Sequence, residues 1–341
     1  MLNTVWQLTR PRQFEAAFRE LEAGGDSMIV RPAFLSICNA DQRYYQGKRP
    51  AKILAQKLPM ALIHEGIGTV LKDGSGTFAP GTRVVMIPNV PSGEDPYAAE
   101  NYLRDSLFRG STMDGFMQEY IETRADRCLA LPEELGDLTG AFTEMVSVCF
   151  HAVSRFDMTA HGRRETIGVW GDGNMAYFTA LLLRARMPES RIMVFGVSES
   201  KMNDFSFVDD VCLVSAIPED LQIDHGFECV GGAASGTVIS QIIDHIRPEG
   251  TIALLGVSEE SVPVNTRMVL EKGLRLIGTS RSGRKDFEGL LDLYRSSPQV
   301  PEYLEKMVGA VIEVRGIPDM VRAFETDIYK ERGKTVMVWN G

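Results

Sequence analysis

Residues 165–201 read ETIGVWGDGNMAYFTALLLRARMPESRIMVFGVSESK and contain two apolar runs separated by a glycine-rich turn. The first run, Thr166–Trp170, is short and contains β-branched residues, which predicts a buried strand. Apolar residues then recur at helical spacing as far as Pro188, which ends the helix. Ile192–Phe195 is the second apolar run and predicts a second strand. The stretch is therefore predicted to fold as strand, turn, helix and strand.

The turn after the first strand has the pattern Gly-x-Gly-x-x-Ala over residues 171–176. Gly171 permits the tight turn, and Gly173 lets the backbone approach a pyrophosphate. Asn174 and Met175 begin the helix, whose amino-terminal end attracts phosphate groups. Glycines also serve ordinary turns, but the strand before this turn and the helix after it favour dinucleotide binding.

The composition is that of an ordinary globular protein. The chain has 341 residues, of which 44% are hydrophobic and 24% charged, and its formal net charge is -10. An acidic chain argues against nucleic acid or an anionic membrane as the main partner, because both favour basic surfaces. The sequence shows no membrane-spanning apolar run and no signal-peptide core. Its five cysteines are scattered without CxxC spacing, so we expect reduced thiols and a cytoplasmic location.

The pattern of predicted elements changes twice along the chain. Residues 1–150 are mostly strand-like, with helices expected at Gln13–Glu20 and at Leu138–Phe156. Strands and helices alternate over residues 151–281, which predicts an α/β domain with a doubly wound parallel sheet. Residues 282–341 return to the first domain. We therefore expect a β-rich domain of residues 1–150 and 282–341, with a cofactor-binding domain of residues 151–281 inserted in it.

Four residues of the β-rich part could bind a metal ion: Cys38, His64, Glu65 and Glu144. Zinc accepts thiolate, imidazole and carboxylate ligands together, and catalytic zinc sites leave one position open. Each residue alone also has an ordinary explanation. A single cysteine is usually a small core residue, and a single histidine usually a hydrogen-bonded structural residue. Glu144, however, lies in the otherwise apolar run GAFTEMVSVCF, where a charge without a partner is costly.

Taken together, these segments resemble the zinc-dependent medium-chain alcohol dehydrogenases. The similarity is strongest to the ribulose-5-phosphate reductases, also called ribitol-5-phosphate 2-dehydrogenases, through stretches such as SICNADQRYY, LIHEGIG and PEGTIALLGVSE. In order along the chain, the segments that match family motifs are Cys38–Asp41, His64 with Glu65, Gly81–Val84, Glu144 and Gly171–Ala176.

The resemblance implies a fold and a metal site. The expected fold is a GroES-like, partly open β-barrel catalytic domain with an inserted Rossmann domain, and an active site in the cleft between them. It implies one catalytic zinc per subunit, bound by Cys38, His64 and a carboxylate of Glu65 or Glu144. Residues 88–127 contain no cysteine, so the four-cysteine structural zinc lobe of many members is missing. Ala40 replaces the Ser or Thr that relays protons in many members, which leaves the proton route open among Glu65, Glu144 and Tyr44.

The cofactor can be inferred from the end of the second strand. NAD-specific Rossmann domains carry an acidic residue there, which binds the ribose 2′-hydroxyl. This chain has Gly196, with Ser198 and Lys201 close behind, which favours NADP(H). Alternatively, Gly196 is merely a turn residue. Gly231 and Gly256 follow later strands, and the resemblance places them near the nicotinamide.

The substrate site is inferred from related sorbitol dehydrogenases. In those enzymes, the residues that match Tyr44 and Arg281 lie in the substrate pocket. Arginine is suited to binding phosphate through several hydrogen bonds, so Arg281 is the candidate for the substrate phosphate. Other cations near the pocket segments could not be ranked: Arg43, Lys48, Arg49, Arg104 and Arg109.

The resemblance therefore predicts NADPH-dependent reduction of D-ribulose 5-phosphate to D-ribitol 5-phosphate, the precursor of CDP-ribitol for teichoic acid or capsule. A ribitol-5-phosphate cytidylyltransferase is the implied pathway partner, and a homodimer joined through the edge strand Leu274–Ser280 is expected. Two alternatives stay open. One is a zinc polyol dehydrogenase that acts on an unphosphorylated sugar alcohol, and the other is a metal-free, NADPH-binding protein without turnover.

Overall fold

The chain divides into two units. The computed structural model describes residues 1–21 and 24–341. The first unit combines Met1–Met145 with Ser282–Gly341, and the second is Val146–Arg281. Among the described residues, no helix has both the length and the apolar character that crossing a membrane requires.

The amino-terminal part of the first unit is mainly β structure. Its strands, in chain order, are β1 (Leu2–Arg10), β2 (Gln13–Glu20), β3 (Ser27–Ser36), β4 (Met60–Ala61), β5 (Glu65–Asp73), β6 (Arg83–Met86), β7 (Asn89–Val90), β8 (Leu107–Phe108), β9 (Ile121–Arg124) and β10 (Cys128–Ala130). Its helices are α1 (Asn39–Tyr45), α2 (Ala51–Lys57), α3 (Asp137–Gly140) and α4 (Thr143–Thr159), and α4 continues into the second unit.

The second unit contains a parallel sheet. Its strands are β11 (Thr166–Trp170), β12 (Arg191–Gly196), β13 (Asp210–Leu213), β14 (Ile223–Glu228), β15 (Ile246–Leu254) and β16 (Arg275–Gly278), and its further helices are α5 (Asn174–Arg186), α6 (Glu199–Met202), α7 (Ser235–His245) and α8 (Thr266–Glu271). The strand order is β13-β12-β11-β14-β15-β16, with every neighbouring pair parallel. This is the 3-2-1-4-5-6 order of doubly wound dinucleotide-binding folds, in which ligands bind at the carboxyl ends of the strands.

The carboxyl-terminal segment completes the sheet of the first unit. Its elements are α9 (Arg284–Ser296), α10 (Gln299–Glu305), β17 (Val308–Val314), α11 (Ile317–Tyr329) and β18 (Lys334–Trp339). The sheet has the order β10-β6-β5-β3-β18-β17, and β9 also pairs with β3. Strand β18, the last strand, pairs with β3, which lies early in the chain just before α1.

Two helix predictions need correction. Gln13–Glu20 is strand β2 and not a helix, because it pairs along its length with β1, and this pairing outweighs the helix propensity of its Ala and Glu residues. Leu138–Phe156 is not one helix, since the short α3 ends at Gly140, a poor helix former. Glu144 therefore lies in the first turn of α4, not near the middle of a long helix.

A network of charged groups anchors the segment that lacks cysteines. The carboxylate of Glu100 accepts hydrogen bonds from Arg127 Nη1 at 2.9 Å and from the backbone N–H of Arg284 at 2.7 Å. The Arg284 guanidinium in turn donates to the backbone carbonyls of Asp126 and Cys128. The Arg127 side chain is only 4% exposed, so this network ties residues 88–127 to the start of α9 from within the first unit.

A second buried network lies near the amino ends of the parallel strands. Asp224, at the start of β14, is fully buried and accepts hydrogen bonds from the guanidinium groups of Arg163 and Arg247. The buried ring of His225 hydrogen-bonds the Arg163 carbonyl at 2.9 Å and accepts from the N–H of Thr251 at 3.1 Å. These contacts fix the end of the sheet opposite to the one that binds ligands.

Candidate active site

Three of the predicted metal-binding residues lie together in the first unit. Cys38 is the amino-terminal cap of α1, and His64 and Glu65 enter β5. One ligand atom of each residue lies within 4.8 Å of the other two. A thiol, an imidazole and a carboxylate at this spacing form a mixed donor set of the kind that zinc accepts.

The carboxylate of Asp41 contacts residues of the cluster and helps to fix their positions. It accepts hydrogen bonds from the backbone N–H of Cys38 at 3.1 Å and of Ile63 at 3.0 Å, and it lies 3.5 Å from Nδ1 of His64. Burial disfavours a charged His64, but Asp41 and Cys38 outweigh burial and keep its pKa well above the usual range. A carboxylate behind a histidine fixes the orientation of the ring for a metal.

The carboxylate of Glu65 lies between a buried lysine and the cluster. Its Oε1 accepts from Nζ of Lys334 at 2.8 Å, and both side chains are almost fully buried, with Lys334 2% exposed. Its Oε2 is also buried and has no hydrogen-bond partner in the described structure. A buried carboxylate oxygen without a partner, beside a thiol and an imidazole, fits a cation, so the residues present are compatible with zinc.

Glu144 lies beside this cluster and is not one of its three members. Burial raises the pKa of Glu144 to about 7, while the nearby His64 lowers it, Glu65 raises it and Lys334 lowers it. These influences show that Glu144 belongs to the electrostatic surroundings of the cluster. A carboxyl group with this pKa exchanges protons near neutral pH.

The glycine-rich turn lies at the carboxyl end of β11. Gly171 is buried, whereas Gly173 is exposed and caps α5, and Asn174 and Met175 form the first turn of that helix. A Cβ atom at Gly173 would have no protein atom within 4 Å. The protein therefore leaves room above this turn, where the helix amino terminus can face the phosphates of a dinucleotide.

A buried carboxylate, Glu228, shapes the neighbouring strand ends. Its Oε1 accepts from the N–H groups of Val230 and Gly231, and its Oε2 from the N–H of Gly256 at 3.1 Å. Gly231 has φ of +69°, and a Cβ there would lie 2.8 Å from the backbone of Val257. Glycine is required at this point because the two loops pack backbone against backbone.

Three valines at the same edge of the sheet are exposed: Val197 (75%), Val230 (44%) and Val257 (66%). They follow β12, β14 and β15, and the carboxyl ends of parallel strands meet at one edge. Apolar side chains gathered at a ligand-binding edge are suited to cover the flat rings of a cofactor. Together with the open turn at Gly173, this edge fits a nicotinamide dinucleotide.

The remaining predicted residues lie in separate parts of the chain. Ser198 caps α6, and Lys201 lies within that helix, just after β12. Tyr44 is buried in α1, where the guanidinium of Arg49 lies 4.9 Å from the centre of its ring. Arg281 is the last residue of the second unit and has φ of +58°, a left-handed conformation that is uncommon for arginine.

Sequence reasoning did not assign three residues that organise the site: Asp41, Glu228 and Lys334. Asp41 was visible as the last residue of the Cys-x-x-Asp segment, and Glu228 precedes the Cys-Val-Gly-Gly motif at a strand end. Lys334 carries no such signal, because a lysine that starts a strand is usually solvated.

Comparisons with known proteins agree with this architecture. The model of the alcohol dehydrogenase GroES-like domain matches residues 24–133, and the model of the zinc-binding dehydrogenase family matches residues 203–296. The chain is 51% identical over 339 residues to ribulose-5-phosphate reductase 1 of Staphylococcus aureus, with 99% of each chain covered. It is 50% identical over 339 residues to the ribulose-5-phosphate reductase of Bacillus spizizenii, again with 99% of each chain covered.

Solved structures give the same result. The crystal structure of S. aureus TarJ in complex with NADPH matches with a TM-score of 0.90 and 47% identity, and all of both chains is covered. The predicted fold class, a GroES-like domain with a Rossmann-type parallel sheet, is confirmed by these matches.

Proposed function

The chain belongs to the zinc-binding alcohol dehydrogenase family, and we propose that within this family it is an NADPH-dependent ribulose-5-phosphate reductase. The reaction reduces the C2 ketone of D-ribulose 5-phosphate and forms D-ribitol 5-phosphate. The observation that carries the proposal is the cluster of Cys38, His64 and Glu65. It occurs in a chain about half identical, over nearly its whole length, to enzymes named for this substrate.

Cys38, His64 and Glu65 hold the metal in this proposal. A zinc ion held by these three residues would supply Lewis-acid polarisation of the substrate ketone. The chain's own residues prepare the site, since Asp41 orients the His64 ring and Lys334 fixes one oxygen of Glu65. We assign Glu144 to hold water beside the cluster, in the place of the hydroxyl that Ala40 lacks. Its burial in the first turn of α4, within the electrostatic influence of His64, supports this role.

The second unit binds the cofactor in this proposal. NADPH held at the carboxyl ends of the parallel strands would supply the hydride. Gly171, Gly173, Asn174 and Met175 receive the pyrophosphate, and the open space at Gly173 supports this assignment. Gly231 and Gly256, held in place by Glu228, line the nicotinamide side, and Ser198 and Lys201 receive the 2′-phosphate.

Arg281 and Tyr44 are proposed to contact the substrate. A five-carbon ketose phosphate offers little apolar surface, so its phosphate should dominate recognition, and arginine binds phosphate well. The left-handed backbone of Arg281 supports a special role, because such strain persists where the surroundings require it. Among the other cations, Arg49 contacts the ring of Tyr44, so we propose that it assists.

The deciding experiment measures metal content and turnover together. The purified protein should contain about one zinc per chain, and it should oxidise NADPH with ribulose 5-phosphate far faster than with free ribulose. Cys38→Ser should lose both zinc and turnover but keep NADPH binding. Cys212→Ser is the matched control, since Cys212 lies on β13 of the second unit and is not a member of the cluster, and it should keep all three.

The outcome also separates the alternatives. Equal rates with the phosphorylated and the free sugar would favour a polyol dehydrogenase. A protein that binds NADPH but holds no zinc and turns over neither sugar would be a non-enzymatic member of the fold. Two tightly held zinc ions per chain, or a fully active Cys38→Ser variant, would show that the metal site is wrongly assigned.

The biological setting is also part of the proposal. We place the enzyme in the cytoplasm, where its product supplies a ribitol-5-phosphate cytidylyltransferase with the precursor of CDP-ribitol for teichoic acid or capsule. A coupled assay with CTP and that transferase should yield CDP-ribitol from ribulose 5-phosphate. Failure of the transferase to accept the product would contradict this place in the sequence of reactions.

We further propose a homodimer in which two copies join along β16. This strand is the last in the order of the parallel sheet, and an edge strand offers unpaired backbone groups to another chain. Sedimentation should give twice the chain mass of 37.8 kDa at micromolar concentration. A mass of one chain under these conditions would rule the dimer out.

A further inference from the structure

The end of β12 has no room for the acidic residue that distinguishes NAD-specific domains. Gly196 is buried, and a Cβ atom there would lie 2.9 Å from Cβ of Asp172 and 2.8 Å from Sδ of Met202. Contacts this short force a neighbouring atom to move. The glycine is therefore needed for packing, and Gly196→Asp would disturb the strand end before it could create a new ribose contact.

Asp172 occupies the space above Gly196 and holds the next loop. Its Oδ2 accepts hydrogen bonds from the backbone N–H groups of Val197 and Ser198, each at 2.8 Å. Asp172 belongs to the glycine-rich turn, so one side chain links that turn to the loop after β12. Hydrogen bonds from backbone N–H groups to a carboxylate are among the stronger ones in proteins.

The loop that Asp172 holds leads into α6, and the residues at this junction carry groups suited to a phosphate. Ser198 and Ser200 bring their hydroxyl oxygens within 3.0 Å of each other. The Lys201 side chain makes no ion pair or hydrogen bond with any described residue. Two acidic groups also lie here: Asp172, through its hydrogen bonds to Val197 and Ser198, and the exposed Glu199. The geometry of the backbone favours a phosphate, whereas these two negative charges oppose it.

We propose that Asp172 is a positioning residue for the 2′-phosphate of NADPH. It holds the backbone at Val197 and Ser198 so that the hydroxyls and the ammonium of the following residues occupy the end of β12, where Rossmann domains bind the ribose 2′ position. The negative charge of Asp172 is compensated by the hydrogen bonds that its carboxylate accepts from two backbone N–H groups. This inference rests on the proposed use of NADPH and assigns its selectivity to a residue of the glycine-rich turn.

Binding of NADPH and NADH, measured by titration calorimetry on the zinc-loaded protein without substrate, tests the inference. Asp172→Ala should weaken NADPH binding about tenfold and NADH binding less than about threefold, because only NADPH uses the positioned loop. Asp172→Asn should stay within about threefold of the wild type for both, since the amide oxygen can accept the same two N–H groups. Glu199→Gln removes a negative charge from the first residue of α6 and leaves the hydrogen bonds of Asp172 to Val197 and Ser198 intact, so it should not weaken NADPH binding.

Three results would overturn the inference. Equal loss of both cofactors in Asp172→Ala would mean that the residue only supports the turn. Tighter NADPH binding in that variant would mean that its charge repels the phosphate. If Asp172→Asn lost selectivity as fully as Asp172→Ala, the hydrogen bonds would not be the cause. A wild-type protein that binds NADH as tightly as NADPH would instead contradict the proposed cofactor. If Asp172→Ala does not fold, the Asn variant and Glu199→Gln still decide between geometry and charge.

Discussion

Lys334 carries a positive charge into the interior of the first unit. Lysine is almost never fully buried unless it is paired, and Lys334 is paired with the buried carboxylate of Glu65. Burial lowers the pKa of Lys334, but Glu65 and Cys38 outweigh burial and raise it overall. Without a metal, this ammonium is the charge that balances Glu65. With a metal bound, the metal ion and the Lys334 ammonium together balance the negative charge of Glu65.

The first prediction follows from this shared task. Lys334→Met should lower the unfolding free energy of the metal-free protein by about 3–5 kcal/mol, the usual cost of leaving one partner of a buried ion pair alone. Zinc should restore part of the loss, because it compensates Glu65 directly. Urea unfolding with and without a chelator measures both values.

A lysine of the second unit provides the control for Lys334. Lys272 donates hydrogen bonds from Nζ to the backbone carbonyls of Ile243 and Ile246 and is not a member of the metal cluster. Lys272→Met should therefore destabilise the protein equally with and without zinc. If Lys334→Met also showed the same loss in both states, Glu65 would not be shared between the lysine and the metal.

A second prediction concerns Arg281. A charge-assisted hydrogen bond is worth roughly 1.5–3 kcal/mol, so Arg281→Ala should lower kcat/KM for ribulose 5-phosphate about 10- to 150-fold. Free ribulose, which lacks the phosphate, should be affected far less. Steady-state kinetics with both sugars makes the comparison, and Arg275→Ala, at the other end of β16, is the control. Equal losses with both sugars, or a parallel rise of KM for NADPH, would assign Arg281 to the cofactor.

At the residue scale, the sequence predicted groups whose chemistry is carried by residue type and spacing. Cys38, His64 and Glu65 were predicted to meet, and the structure brings them together. Their role as zinc ligands stays a prediction. Lys334 could not be found this way, because its importance comes entirely from a partner 269 residues away. The steric reason for Gly196 was equally hidden, since it depends on side chains from two other segments.

At the scale of elements, the network around Glu100 links two segments that are far apart in sequence. It joins the segment without cysteines to the start of α9 through Arg127 and Arg284. Family members with four cysteines have a structural zinc in this region, as the resemblance implies. Here hydrogen-bonded charges hold the segment, and Arg127 contributes from an almost fully buried position.

The third prediction tests this network. Arg127→Met should lower the unfolding free energy by about 2–3 kcal/mol, because it leaves Glu100 partly buried without its main partner. Arg124→Met is the matched control, since Arg124 pairs with Asp126 in an exposed position and such pairs contribute about 0–1 kcal/mol. Urea unfolding of the two variants gives the comparison. Similar losses would mean that the network contributes no more than a surface ion pair.

Regular elements were predictable where local pattern and tertiary packing agree. Thr166–Trp170 and Ile192–Phe195 were assigned correctly as strands, because each is a short apolar run that is buried in the parallel sheet. Gln13–Glu20 failed because its alanine and glutamate residues favour a helix, whereas strand pairing with β1 decides the outcome. Pairing between distant strands leaves little trace in a single short segment.

At the scale of the whole molecule, His225 links stability to pH. Burial, together with the neighbouring His161, lowers the pKa of His225 to about 4. The unfolded chain has the ordinary value of 6.5. Between these values the unfolded state binds the proton more strongly, so the folded state loses stability as the pH falls from about 6.5 towards 4.

The fourth prediction gives the size of that loss. The unfolding free energy should fall by about 3 kcal/mol over this range on account of His225, since one pKa unit corresponds to about 1.4 kcal/mol. His225→Gln should flatten the dependence between pH 6.5 and 4. His245→Gln, at the end of α7, should leave it unchanged. An unaltered slope in the His225 variant would show that other groups cause the acid sensitivity.

The order of units along the chain was predicted from the alternation of strands and helices. The expectation of one domain interrupted by another came from that alternation and from the return to strands near the end. What single-sequence patterns do not contain is the register between β3 and β18, because it depends on contacts between the two ends of the chain.

The distance along the chain between Glu65 and Lys334 also has a consequence during synthesis. A ribosome that adds about 5–20 residues per second needs roughly 15 to 55 seconds to pass from one to the other. During that interval the emerging chain already exposes the thiol, the imidazole and the carboxylate, but not yet the ammonium. A metal ion that binds the nascent chain would therefore meet an anionic set of donors whose charge Lys334 does not yet compensate. The last strand to leave the ribosome then sets the final charge of the centre.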